Sequence, residues 1–349
     1  MKILLRFYSH LKMDDHTNLN FSYTQNAKYN TKDLILYALS INCEERKYTY
    51  EGDAEFQAFP TFISALLFKG ESQDIQSFPP PSFINPLPRE FLKAEKDAKV
   101  DSNLVVIHVQ QDFTFYRKIP VPHVLGKSSV RIIMEQTIVK VVSKRVGIFV
   151  TAVTEYWLAH PDDGTQRIGL CAKGQALYLV KGIAHEKVHN YNATFSSLRP
   201  DKGVNLDKVQ KVVMEKLTVP IKMEQALLYR IGSGDYNLIH VLNQNGYGDE
   251  PILHGLCSLG LVVNAILIYF EKKNYGSTGD LTGLSIKFSS PVLLSSSSLE
   301  VVWNVASFHG HNSVIEFKAY QNRKLVMDDG RIELGNLDDL DESIPQSKL

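Results

Sequence analysis

Apolar positions recur at helical spacing over residues 31–40, and a second apolar segment at 59–68 is opened by Pro60, so both predict helices. From residue 104 the pattern changes to short runs rich in β-branched and aromatic residues, at 104–109, 128–136, 147–156 and 168–180. Separated by turn signals, these runs predict strands. A polar stretch at 181–206, with Gly182, Asn190, Asn192, Pro200 and Gly203, predicts a linker. The order then repeats: helices are predicted at 207–217, 224–230 and 255–270, and strands at 285–288, 299–305, 314–321 and 324–327, with the serines at 295–298 as a turn. No residue-level repeat accompanies this, so the duplication is one of architecture. A chain of 349 residues suits two domains.

Composition removes several functions. Lys+Arg and Asp+Glu balance at 38 each, leaving no basic field for nucleic acid or an anionic membrane. The apolar run at 255–270 is interrupted by Asn264 and is shorter than the roughly 20 residues of a membrane span, so it predicts a buried helix. Cys43, Cys171 and Cys257 are widely spaced, without a CxxC pair, which points to a reducing compartment and buried thiols. The apolar run inside Met1-Lys2-Ile3-Leu4-Leu5-Arg6 is too short for a signal-peptide core. Ser347-Lys348-Leu349 matches a peroxisomal address, which predicts a peroxisomal matrix protein and an import receptor as partner.

The densest polar cluster beside apolar flanks is Gly232-Ser233-Gly234-Asp235-Tyr236-Asn237-Leu238-Ile239-His240. Gly232 and Gly234 permit tight backbone turns that could gather Asp235, Asn237 and His240 round one water. Adding water across an α,β-unsaturated thioester needs a base, an acid and a donor to the enolate-like oxygen. Asp and His suit the proton transfers, and Asn can orient the water. Gly255, at the start of the apolar helix, offers a free backbone N–H in the positive end of the helix dipole. The same residue types also mark ordinary turns, so on local evidence a structural turn remains open.

Taken together, Gly234-Asp235-x-Asn237-x-x-His240 and Pro251-Ile252-Leu253-His254-Gly255-Leu256-Cys257 resemble the MaoC-like, type-2 enoyl-CoA hydratases of peroxisomal β-oxidation. Tyr37-Ala38-Leu39, Tyr50-Glu51-Gly52, Phe59-Pro60-Thr61-Phe62 and Ile107-His108-x-x-Gln111 are similar to the N-terminal half of that family. Ile286-Lys287-Phe288, Pro291-Val292 and Trp303 are similar to its C-terminal half. The resemblance implies an α+β tandem (double) hot-dog fold, each repeat a long central helix wrapped by a curved antiparallel sheet. It implies residues 1–30 as an extension, 31–182 as a non-catalytic repeat housing the acyl chain, 183–206 as linker, 207–332 as the catalytic repeat and 333–349 as a tail. Asp235 and His240 are then the acid/base pair, Asn237 positions water and the Gly255 amide is the oxyanion donor. Gly234, Tyr236, His254 and Leu256 become substrate contacts; His254, one residue before the oxyanion donor, also reads as a support for its loop. No metal or redox cofactor is implied, since coenzyme A arrives with the acyl substrate; a homodimer is left open. The family pattern has Pro where Leu238 stands, and this chain is about three residues shorter between His240 and Gly255, near the family's coenzyme A entrance.

Other readings compete. A hot-dog thioesterase could use the same residues on the thioester carbonyl, and a non-catalytic acyl-CoA-binding protein could keep the fold without turnover. His185-Glu186-Lys187-Val188-His189 matches a zinc-protease pattern, with Glu215 as a third-ligand candidate, but it lies in the predicted linker. His309 and His311 are assigned no role, and His108 with Gln111 is expected to pack between the repeats.

Overall fold

The computed structural model describes residues 21–76, 87–93, 105–198, 214–242, 250–273, 279–309 and 312–337. In the first half these form β1 (Ser22–Tyr29), α1 (Thr31–Ser40), α2 (Arg46–Thr49), α3 (Leu66–Lys69), β2 (Val105–Phe115), β3 (Val130–Lys144), β4 (Gly147–Ala159), β5 (Arg167–Lys181) and β6 (Tyr191–Asn192). The second half contributes β7 (Glu215–Pro220), α4 (Gln225–Ser233), β8 (Ile252–Leu253), α5 (Gly255–Lys272), β9 (Asp280–Phe288), β10 (Val292–Leu293), β11 (Ser298–His309), β12 (Asn312–Gln321) and β13 (Lys324–Gly335). One antiparallel sheet runs β1-β3-β4-β5-β2-β9-β13-β12-β11-β7, and β10 pairs with β8 apart from it.

The seam between the halves is the β2–β9 ladder, where Gln110 faces Lys287 and Asp112 faces Ser285. Period-2 alternation explains the buried face of these strands: Tyr156 and Leu158 on β4 and Ile132 and Met134 on β3 enter the main core. Farther along the same long strands, Ile138, Val141, Ile148, Val150 and Val180 join Leu87, Phe91 and Val188 in a second cluster.

The hot-dog arrangement of sheet and helix holds, with a difference between the halves. In the second, α5 is a single helix of 18 residues. Its length and apolar composition would suit a membrane span, but Leu259, Val262, Val263, Ile266 and Phe270 are fully buried in the core beside Trp303. Each such side chain contributes about 1.5–3 kcal/mol by leaving water. Asn264, the polar interruption, donates to the carbonyls of Ile41 and Asn42 at 3.4 and 3.1 Å and ties α5 to the end of α1. In the first half the helical layer is divided into the ten-residue α1, a 3₁₀ turn at Pro60–Ala65 and α3. Pro60 lies within the first turn, where its missing N–H costs nothing.

The structure differs from the sequence reading at several further places. Ser22–Tyr29, placed in the N-terminal extension, is β1 and pairs with β3 from Ser22↔Thr137 to Tyr29↔Val130. The helix expected over 207–217 overlaps β7, which pairs with β11 along Glu215–Pro220; edge pairing outweighed the helical spacing, and residues 207–213 lie outside the described set. Within the expected linker, Tyr191–Asn192 is β6 on the edge of β3, so that stretch is partly integrated into the first half. The tail with Ser347, Lys348 and Leu349 lies outside the described residues, as does 243–249 of the shortened segment.

Candidate active site

The site is assembled where α4 ends and α5 begins. Gly232, read as a turn residue, is the penultimate position of α4; a Cβ there would fall 2.5 Å from Ser40 Oγ and 2.7 Å from the Leu36 carbonyl, so it permits α4 to lie against α1. Gln225 at the other end donates to the Ser40 carbonyl at 2.6 Å and accepts from Asn42 at 3.2 Å. Gly234 is the left-handed C-cap, φ +75°, backed by the Lys69 backbone, with its N–H donating to the Arg230 carbonyl at 3.1 Å. The first half thus fixes the turn that carries Asp235, Asn237 and His240.

After Gly234 the chain reverses through side-chain-to-backbone bonds. Ser233 Oγ accepts the Asp235 N–H at 3.1 Å, and Asp235 Oδ1 accepts the Asn237 N–H at 3.2 Å. Asn237 Oδ1 accepts the Ile239 N–H at 3.3 Å and caps a 3₁₀ turn over Leu238–His240. His240 Nδ1 lies 2.9 Å from the Ile252 carbonyl of β8. A carbonyl can only accept, so Nδ1 carries the proton and the bare Nε2 lone pair is left for chemistry.

Asp235, His240 and His254 each offer a donor atom within 4.8 Å of the others, and all three residues are buried. Burial pushes the Asp235 carboxyl up to about 7, opposed by its bond to the Asn237 amide, and pushes His240 down to about 4, opposed by the Ile252 carbonyl. The set resembles a metal site in residue type, but the His240 and His254 rings are stacked at 3.7 Å with 29° between their planes. Imidazole lone pairs lie in the ring plane, so those of a stacked pair run nearly parallel and cannot converge on one ion. The arrangement favours proton transfer over joint metal ligation.

His254 is the N-cap of α5, and Gly255 is its first residue, whose N–H has no carbonyl a turn earlier to bond. The Phe288 ring lies 3.4 Å from where a Gly255 Cβ would be. Phe288 is 5.2 Å from the His108 ring, which is 5.0 Å from Tyr178, and the Tyr178 phenol feels the Asp235 carboxylate. The first half therefore contributes a wall of the site. His108 was noted in the sequence as a packing residue; Tyr178 was missed. Its signal was the strand pattern of β5, where it pairs opposite His108, but only the register shows this.

The remaining expected substrate contacts are dispersed. Tyr236 lies under the Arg230 guanidinium at 4.7 Å, and burial raises its phenol, an effect that Arg230 opposes and Asp74 and Asp33 reinforce. Leu256 belongs to the main core. His185–Lys187 is a short 3₁₀ turn, not an α-helix, so His185 and His189 do not share a helical face. His185 instead pairs with Glu186 at 2.8 Å, Glu215 accepts from Tyr269 at 3.3 Å, and among the described residues His185, His189 and Glu215 do not gather into a group that could hold a metal.

Two halves joined in one sheet, with a buried Asp/His pair beside an uncapped helix start, define a double hot-dog protein. Comparison with known proteins agrees. Residues 27–159 match the model for an MFE-2 hydratase 2 N-terminal domain and 205–320 that for a MaoC like domain. The chain belongs to the MaoC-like, hydratase 2 family. It is 24% identical over 328 residues to the peroxisomal hydratase-dehydrogenase-epimerase of Saccharomyces cerevisiae, covering 88% of this chain and 30% of that protein. It is 27% identical to the peroxisomal multifunctional enzyme type 2 of Drosophila melanogaster, covering 76% of this chain and 40% of that protein, and 26% identical to the peroxisomal enoyl-CoA hydratase 2 of Arabidopsis thaliana, covering 68% and 71%. The chain thus spans less than half the length of the two multifunctional relatives. A MaoC-like dehydratase from Phytophthora capsici shares the fold with a TM-score of 0.65 at 23% identity, covering 91% of this chain and 96% of that one.

Proposed function

We propose that the protein reversibly hydrates a trans-2-enoyl-CoA to the (3R)-3-hydroxyacyl-CoA in peroxisomal fatty-acid β-oxidation. The observation that carries this reading is the buried Asp235–His240 pair, whose proton affinities are driven in opposite directions by their surroundings. In the hydration direction, neutral His240 takes a proton from water through Nε2, and protonated Asp235 delivers one to Cα. Asn237, its Oδ1 committed to the turn, holds the water through Nδ2. The Gly255 N–H receives the developing thioester oxyanion, where a donor of this kind is worth about 3–4 kcal/mol. The first half houses the acyl chain. Coenzyme A enters with the substrate, and the mechanism calls for no other cofactor. The homologues named peroxisomal support the compartment, and Ser347-Lys348-Leu349 would meet the import receptor.

The test is purified protein with a trans-2-enoyl-CoA, followed by the conjugated enoyl-thioester absorbance and chiral analysis of the product. Loss of absorbance with (3R) product is expected. Release of free coenzyme A without hydroxyacyl product would replace the hydratase reading with a thioesterase, and binding without turnover would replace it with an acyl-CoA-binding protein.

A further inference from the structure

His254 touches the His240 ring, the Asp235 main chain and, through its own peptide, Gly255. Its ring is 1% exposed and stacks on His240 at 3.7 Å. Its Nε2 lies 3.3 Å from the main-chain carbonyl of Asp235, which can only accept, so Nε2 carries the proton. Nδ1 is then a bare, buried lone pair without a hydrogen-bond partner among the described residues. On its other side the ring is 5.0 Å from that of Tyr229, one turn before the C-cap of α4. The His254 main chain is the N-cap of α5, and its carbonyl receives Ser258 N–H and Oγ–H at 3.0 and 3.1 Å, which fixes the direction of the Gly255 amide.

We propose that His254 is a positioning residue: one side chain and its own peptide lock the His240 ring, the Asp235 turn and the Gly255 amide into a single arrangement. The proposal rests on the hydratase reading. An imidazole suits this position because it combines a flat face for the stack with an edge N–H for the Asp235 carbonyl. A buried orphan lone pair costs free energy, which the fold tolerates here for the sake of that geometry. The charged or titratable groups facing the stacked pair are Asp235, Tyr229 and Arg230, with Tyr178 facing Asp235 from the first half.

Three variants separate the parts of this role in the full-length protein. His254→Leu removes both stack and donor, His254→Phe keeps a ring, and His254→Gln keeps an N–H donor near the Nε2 position. Since a displacement of about 1 Å can cost roughly 10²-fold, His254→Leu should lower kcat about 10²-fold with KM changed less than about threefold. The Phe and Gln variants should each recover about tenfold. An NMR titration of the His240 imidazole provides a readout independent of turnover. In the wild-type protein His240 should hold the Nδ1–H tautomer through neutral pH. In the His254→Leu variant it should lose that preference and titrate closer to an ordinary histidine, and the Phe variant should preserve the wild-type behaviour if the Leu variant fails to fold. A raised KM with unchanged kcat would make His254 a substrate contact and overturn the proposal, as would unchanged kcat with an unchanged His240 titration. An inactive wild-type protein would sink the hydratase reading instead, while the His240 titration would still decide the role of His254.

Discussion

α1 opens at Asn30, whose Oδ1 accepts the Asp33 N–H at 3.1 Å while the Asp33 carboxylate accepts the Asn30 N–H at 2.8 Å. α5 opens at His254, which offers its first turn no side-chain acceptor. Both are helix starts packed into the same core, but the first is closed by a capping box, whereas the second has no side-chain cap among the described residues and opens beside Asp235 and His240. A closed terminus has its donors satisfied within the fold, whereas an uncapped terminus next to titratable groups can offer its donors to a group that arrives later. On the proposed function, the first half stabilises and shapes, and the second half reacts.

This division of labour fails outright if the reactive pair is dispensable. Asp235→Asn and His240→Gln should each lower kcat/KM by at least about 10³-fold, measured by enoyl absorbance, while circular dichroism stays unchanged. Next in size is the helix start itself. Gly255→Pro removes the N–H at the first helical position, where proline is otherwise accepted, and should lower kcat by about 10²–10³-fold with little change in Tm. Thr31→Pro places the same change at the start of α1 and should leave kcat intact; equal effects at the two sites would erase the contrast between the two termini.

The acid–base pair also marks the second half through pH. With its folded pKa raised from 3.8 to about 7, Asp235 contributes stability that is full below about 4 and lost as pH rises through 7. His240, lowered from 6.5 to about 4, contributes stability that is present above 6.5 and lost as pH falls through 4. Asp235→Asn should therefore stabilise the protein at pH 8 by up to about 4 kcal/mol and gain nothing near pH 3.5, read from denaturant melts. Activity should fall as pH rises past about 7, where Asp235 loses its proton. The smallest effect belongs to the closed terminus: Asn30→Ala should cost about 1 kcal/mol in the same melts, without a change in kcat.

Much of this molecule was legible one element at a time. The 3.6-residue pattern of α1, the apolar run of α5 and the strand-like runs of β3, β4 and β5 depend on local spacing, and the structure reproduces them. Asp235, Asn237 and His240 were legible as a polar cluster after two glycines, but local spacing left an ordinary turn open, and only the resemblance carried by Gly234-Asp235-x-Asn237-x-x-His240 gave them expected roles. Gly232 was misread as a turn residue because the reason for it, the α1 backbone against its Cα, is about 190 residues away in sequence. The strand at Ser22–Tyr29 was missed because edge strands take their identity from the neighbour they pair with, here β3.

Residue order was enough to say which side chains could move protons and where a helix would begin with a glycine amide. Their protonation and their company came from the folded arrangement. Solvent exclusion by the surrounding core sets Asp235 and His240 apart, since desolvation depends on everything packed around a group rather than on its neighbours in the chain. The stack of His254 on His240, the wall formed by His108 and Tyr178 and the Lys69 backbone under Gly234 likewise exist only after β2 and β9 have joined the halves and α4 has settled against α1.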